Sequence, residues 1–86
     1  MALLIRRRET GSEMVIELHG RLSAAGVPEF ESVCAATNGP FRVDLGQLTG
    51  ADLAGLTALR SKAAAGVRLE GASPYIELLL ERSGIQ

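Results

Sequence analysis

Asp44 and Asp52 hold the positions best suited to chemistry in this 86-residue chain. Asp44 sits in an alternating run, Phe41-Arg42-Val43-Asp44-Leu45, and Asp52 follows after Gly46 and Gly50. Two carboxylates work as general acid and base only where a dry, apolar setting raises one pKa above the other. The flanking residues supply no such setting. Asp44 reads instead as the end of a strand and Asp52 as a helix N-cap. The remaining candidates are sparse. His19 is the sole histidine and Cys34 the sole cysteine, and neither stands at metal-ligand spacing from the acids. His19 reads as a structural or surface strand residue, and Cys34 as a small apolar residue of a helix. There is no Gly-x-Ser-x-Gly elbow and no Gly-x-Gly-x-x-Gly, and Gly46-x-x-x-Gly50 lacks the Lys-Ser/Thr of a phosphate loop. Catalysis needs a convergent set of polar groups, so the expectation is no enzyme, no metal and no cofactor.

Composition removes further classes. The formal net charge is -1, which gives no reason to expect nucleic acid or an anionic membrane as partner. The three aromatics, Phe30, Phe41 and Tyr75, are too scattered for a base-stacking platform. No apolar run approaches the ~20 residues of a membrane span. Leu3, Leu4 and Ile5 precede Arg6, Arg7 and Arg8, the reverse of a signal peptide's order. With one cysteine and no possible internal disulfide, the expected setting is the cytoplasm.

The elements that would hold these residues follow from periodicity. Leu3 to Glu9 and Glu13 to His19 read as two strands of an antiparallel hairpin, joined by a three-residue turn, Thr10-Gly11-Ser12. In the second strand Met14, Ile16 and Leu18 form one face, and Glu13, Val15, Glu17 and His19 the other. The arginine run reads as a solvated or edge strand that resists further pairing, with Glu13 and Glu17 placed to pair with it. A helix over Val27 to Ala36 carries Pro28 in its first turn and an apolar stripe of Val27, Phe30, Val33 and Cys34.

Phe41 to Leu45 reads as a short strand followed by a loop punctuated by Gly46 and Gly50. Asp52 then caps a helix running to about Ala65, with Leu53, Leu56, Leu59 and Ala63 at core spacing. Val67 to Glu70 is a last short strand. Ser73-Pro74 opens a closing helix with Ile76, Leu79 and Leu80 buried and Gly84 at its end. The expected architecture is one α/β domain over residues 1–86: a four-stranded mixed sheet, order β-β-α-β-α-β-α, with three helices packed on one face.

This order, with the run Val43-Asp44-Leu45-Gly46-Gln47-Leu48-Thr49-Gly50-Ala51-Asp52-Leu53-Ala54-Gly55-Leu56, resembles STAS domains. These include the anti-sigma-factor antagonists and related domains of sulfate transporters. Their pattern of strand, Asp-Leu-Ser-Gly-Val-Thr, two apolar residues and Asp-Ser-Ser-Gly-Leu lies on this chain without a gap. Gly20-Arg21-Leu22-Ser23 resembles the family's Gly-Arg-Leu-Asp turn, and Val67-Arg68-Leu69 with Ser73-Pro74 its last strand and helix.

The resemblance implies a non-enzymatic interaction module, bacterial and cytoplasmic, in signalling or transcription regulation. In the family's antagonists a kinase-type anti-sigma factor phosphorylates the second serine of Asp-Ser-Ser-Gly-Leu. Leu53 and Ala54 stand at the two serine positions here, and neither accepts phosphate. Thr49 and Thr57 are the nearest hydroxyls, and Thr49 is the substitute phosphoacceptor to consider. The expected partner-binding surface is Thr49, Asp52, Ala54, Thr57, Ser61 and Lys62. The expected partner is a protein: an anti-sigma or kinase-type domain, or a component of a transporter complex to which this chain is an accessory subunit. A small ligand or nucleotide at the helix N-terminus is the alternative from another class.

Overall fold

The computed structural model describes residues 3–83. Gly84, expected to end the last helix, lies outside them. β1 (Leu3–Thr10) and β2 (Glu13–Leu22) form the antiparallel hairpin, in register from Thr10↔Glu13 to Leu3↔Gly20. Thr10 is strand rather than turn, so the loop shortens to Gly11-Ser12. Gly11 has φ +57, the glycine-first arrangement of a type II′ hairpin turn.

β3 (Phe41–Ala51) runs parallel beside β2, and β4 (Arg68–Glu70) parallel beside β3, giving the order β1-β2-β3-β4. Parallel neighbours need crossovers, and helices supply both. α1 (Val27–Ala36) joins β2 to β3, and α2 (Leu53–Ala64) joins β3 to β4. α3 (Pro74–Ser83) closes the chain, with Ser73 Oγ accepting from Ile76 N–H at 3.2 Å as its cap.

One apolar cluster holds these pieces. Ile16, Leu18, Leu22, Val43, Leu45 and Leu48 come from the sheet, Phe30 and Cys34 from α1, Ala58 and Leu59 from α2, and Ile76 from α3. All three helices therefore pack on the same sheet face, as expected. Burial pushes the Cys34 thiol pKa up, which keeps it a packing group and a poor nucleophile.

The sequence reading differs from the structure most in β3. No loop follows Leu45: the strand continues to Ala51 and pairs with β2 as far as Leu22↔Ala51. Two register shifts, between Glu17/His19 and between Gly20/Arg21, each give β3 one more residue than β2. These are β-bulges, and Gly46 and Gly50 lie within them. The first bulge inverts the alternation, which lets both Leu45 and Leu48 face the core.

The opposite sheet face carries no helix from the core cluster and is lined by ion pairs. Arg8 meets Glu17 at 2.7 Å, Arg42 meets Glu13 at 2.6 Å and Glu70 at 2.8 Å, and Arg68 meets Glu13 at 3.1 Å. Val15, expected on this face, is nonetheless fully buried. It lies between Arg8 of β1 and Arg42 of β3 in the register, where long aliphatic arginine stems cover it.

Candidate functional site

The site is built where β3 hands over to α2. Asp52 is the N-cap with extended backbone, φ -90 and ψ -176. Its carboxylate is divided between two segments: Oδ1 accepts from Gly55 N–H at 2.9 Å, and Oδ2 from Ala24 N–H in the β2–α1 turn at 3.0 Å. Its own N–H donates to Leu22 O at 3.1 Å. One residue thus ties the end of β2, the following turn and the start of α2. The Gly55 N–H, then the Ala24 N–H, hold the Asp52 carboxyl below the usual carboxylate range.

Gly55 is needed for the close approach. A Cβ there would run into the backbone carbonyl and Cγ of Leu22. At Gly50 a Cβ would stand 3.1 Å from a guanidinium nitrogen of Arg21, whose side chain lies across it. Arg21 was not among the expected site residues. Its neighbour on the adjacent strand is set by the bulges, which leave no local signal in the sequence.

The structure keeps the two aspartates apart in role. Asp44 Oδ1 accepts from Gly46 N–H at 2.8 Å and so caps the first bulge. Among the described residues, no three His, Cys, Asp or Glu side chains gather as a metal site requires. His19 Nε2 lies 3.1 Å from Glu17 Oε1, on the ion-paired face.

Around the cap the surface is open. Thr49, Ala54, Thr57 and Ser61 are exposed and Asp52 half-buried. The Thr49 hydroxyl donates to Gly20 O at 2.9 Å. Lys62 Nζ meets Glu31 Oε1 at 2.6 Å and so bridges α2 to α1. Leu53 is the exception to its own spacing: it is 71% exposed, and Ala63 is exposed as well. The buried arc of α2 is Gly55, Leu56, Ala58 and Leu59. At 100° per residue Leu53 lies about 140° from the centre of that arc, so it belongs to the solvent stripe with Thr57 and Arg60. The first helical turn therefore presents a leucine at its tip, beside the small side chains of Ala54 and Thr57.

Asp52→Ala should lower the melting temperature by about 5 °C at pH 7. Because the folded pKa is depressed, the carboxylate's contribution is present above about pH 4 and is lost as pH falls through the lower folded value. Glu17, lowered by its hydrogen bond with His19 and then with Arg8, has the same sign. Melting curves from pH 7 down to pH 2 should show wild type and variant converging at the acid end. A gap that stays constant across the range would contradict the role given to the charge.

A strand–helix junction of this kind, on a mixed sheet covered on one side, defines the class of small α/β domains with the fold of the anti-sigma factor antagonists. The structure of the anti-sigma factor antagonist SpoIIAA in its unphosphorylated form superposes with a TM-score of 0.61 at 20% identity, over 93% of this chain and 82% of that one. The crystal structure of Mglu gives 0.62 at 18% identity, over 80% of this chain. The match spans only 19% of the length of that protein. Residues 5–86 match the family model described as "Mlab, STAS domain", and the chain belongs to the STAS family. Among curated proteins, none matches the sequence. The family is one of non-enzymatic interaction domains.

Proposed function

We propose that this chain is a protein-interaction module that docks a partner domain through the α2 N-terminal surface, with the family's phosphate switch removed. One observation carries the reading: Leu53 is 71% exposed in the first turn of α2, at the position of a serine in the STAS pattern. An exposed leucine on a capped helix end supplies apolar contact, and Ala54, at the position of the family's phosphorylated second serine, cannot accept phosphate. In this reading Leu53, Ala54, Thr57 and Ser61 meet the partner, with Thr49 at the margin. Asp52 holds the helix start in place, and Lys62 holds α2 against α1.

The partner is an anti-sigma or kinase-type domain in the cytoplasm, or a component of a transporter complex. Leu53 favours the second, because an apolar residue at the centre of a contact suits a lasting interface better than one made and broken by phosphate. A nucleotide or small anion at the α2 N-terminus is the weaker reading. The Asp52 carboxylate already accepts from the donors there and repels anions.

The test is a partner exchange. Leu53→Glu with Ala54→Arg should release a partner that co-purifies with the wild type, while melting temperature stays within about 2 °C, since both side chains are exposed. Retention of the same partner by the double variant sinks the reading. Incubation with an anti-sigma-type kinase and ATP should add no phosphate. Phosphate on Thr49, the remaining phosphoacceptor candidate, would mean the switch has moved rather than gone.

A further inference from the structure

Among the described residues, β1 is an edge strand with nothing beyond it in the sheet. Its eight residues pair with β2 through an unbroken register, so the edge has no bulge to turn it away from a newcomer. Alternate residues on such an edge direct N–H and C=O outward. Leu4 is 54% exposed. The side chains of Arg6 and Arg7 are exposed and have no ion-pair or hydrogen-bond partner among the described residues. The acid opposite Arg6 in the register is Glu17, and it is held by Arg8 at 2.7 Å and His19 at 3.1 Å. Successive side chains alternate faces, so Arg6 and Arg7 set one uncompensated cation on each side of the edge.

We propose that the β1 edge is a docking site for an extended acidic segment of a partner protein, which adds to the sheet as a fifth strand. Strand addition supplies main-chain hydrogen bonds, and carboxylates on the two faces of the incoming segment meet Arg6 and Arg7. Charge selects this occupant. A second copy of the chain paired edge to edge in the register centred on Arg7 would set Arg6, Arg7 and Arg8 against the same three cations, and in any register it supplies only Glu9 to answer them, which disfavours self-association. A neutral strand would gain the backbone bonds and leave both cations unanswered. β2 separates β1 from β3 and its junction with α2, so this surface is distinct from the α2 N-terminus.

The probe is a capped octapeptide of valine and threonine with two adjacent glutamates at its centre, which places one carboxylate on each face of the strand, titrated against the folded domain at low salt. Saturable binding is expected, with amide shifts concentrated in β1. Arg6→Glu with Arg7→Glu should weaken it by at least about tenfold. The same peptide N-methylated at every amide keeps its charge, has no N–H donor on either edge and should not bind. No binding at millimolar peptide overturns the proposal, as does undiminished binding of the N-methylated peptide or of the charge-reversed protein. Dimerisation through β1 in the absence of peptide would also overturn it. If circular dichroism shows the charge-reversed protein unfolded, Arg6→Gln with Arg7→Gln takes its place under the same criteria. Leu53→Glu should leave peptide binding unchanged, which separates this surface from the α2 site.

Discussion

Gly55→Ala should destabilise the domain by about 2 kcal/mol, although the same change in an exposed helix would stabilise it. Two effects oppose each other. Alanine in a helix interior gains up to about 1 kcal/mol over glycine. Overpacking against an immovable neighbour costs about 1–3 kcal/mol, and here the neighbour is backbone. The new Cβ meets the carbonyl of Leu22, which is itself fixed as acceptor for Asp52 N–H at 3.1 Å. It cannot retreat without breaking that bond or lifting α2 off the end of β2, so the upper part of the cost range applies. Urea denaturation should show a lower midpoint at unchanged slope. Higher stability in the variant would mean that Leu22 yields. A lifted α2 would also carry Leu53 and Ala54 out of position, so the loss of stability should come with a loss of partner binding.

Phe30→Ala should cost about 3–5 kcal/mol, the largest effect of any single truncation here. Phe30 is fully buried and is the principal anchor of α1 to the sheet. The other aromatics, Phe41 and Tyr75, are half-buried at the margin of the core and exposed, respectively, so neither lies where it fills the void without moving its own strand or helix. A domain of this size has a total stability of about 5–10 kcal/mol, and the variant should be partly unfolded near 37 °C. Near-complete loss of the native circular dichroism transition is the expected result. A fall of under about 1 kcal/mol would show that the α1 face collapses onto the cavity.

Much of this fold can be read locally. The helix Val27–Ala36, the Asp52 and Ser73 caps and the hairpin depend on residues within a few positions of one another, where turn chemistry and period act directly. The features that escaped are long-range. Glu13 was expected to pair with the arginine run across the hairpin, and instead it meets Arg42 and Arg68, 29 and 55 residues away. That choice is made by the parallel stacking of β3 and β4. The strand character of residues 46–51 was hidden because glycines that mark bulges also mark loops, and only pairing with β2 decides between them. Leu53 matched the helical spacing of Leu56 and Leu59, yet the burial of Gly55 and Ala58 rotates the core-facing arc away from it. Small residues leave a weak hydrophobic signal, so the arc is displaced from where the leucines alone put it. The Asp52 cap was legible because its bond from Gly55 N–H is local, whereas its bonds to Ala24 and Leu22 depend on the fold. The exposure of Leu53 needed the packing.

If a partner docks at the α2 N-terminus as proposed, the bulges in β3 also bear on how fast and how tightly it engages. A docking element at the end of a free loop must lose chain entropy when it binds, about 1–2 kcal/mol for each backbone residue that becomes ordered. Here the residues leading to Asp52 are already hydrogen-bonded to β2 as far as Ala51. The surface is therefore rigid before the encounter. Association can proceed as a near rigid-body collision, with little induced rearrangement on this side of the interface.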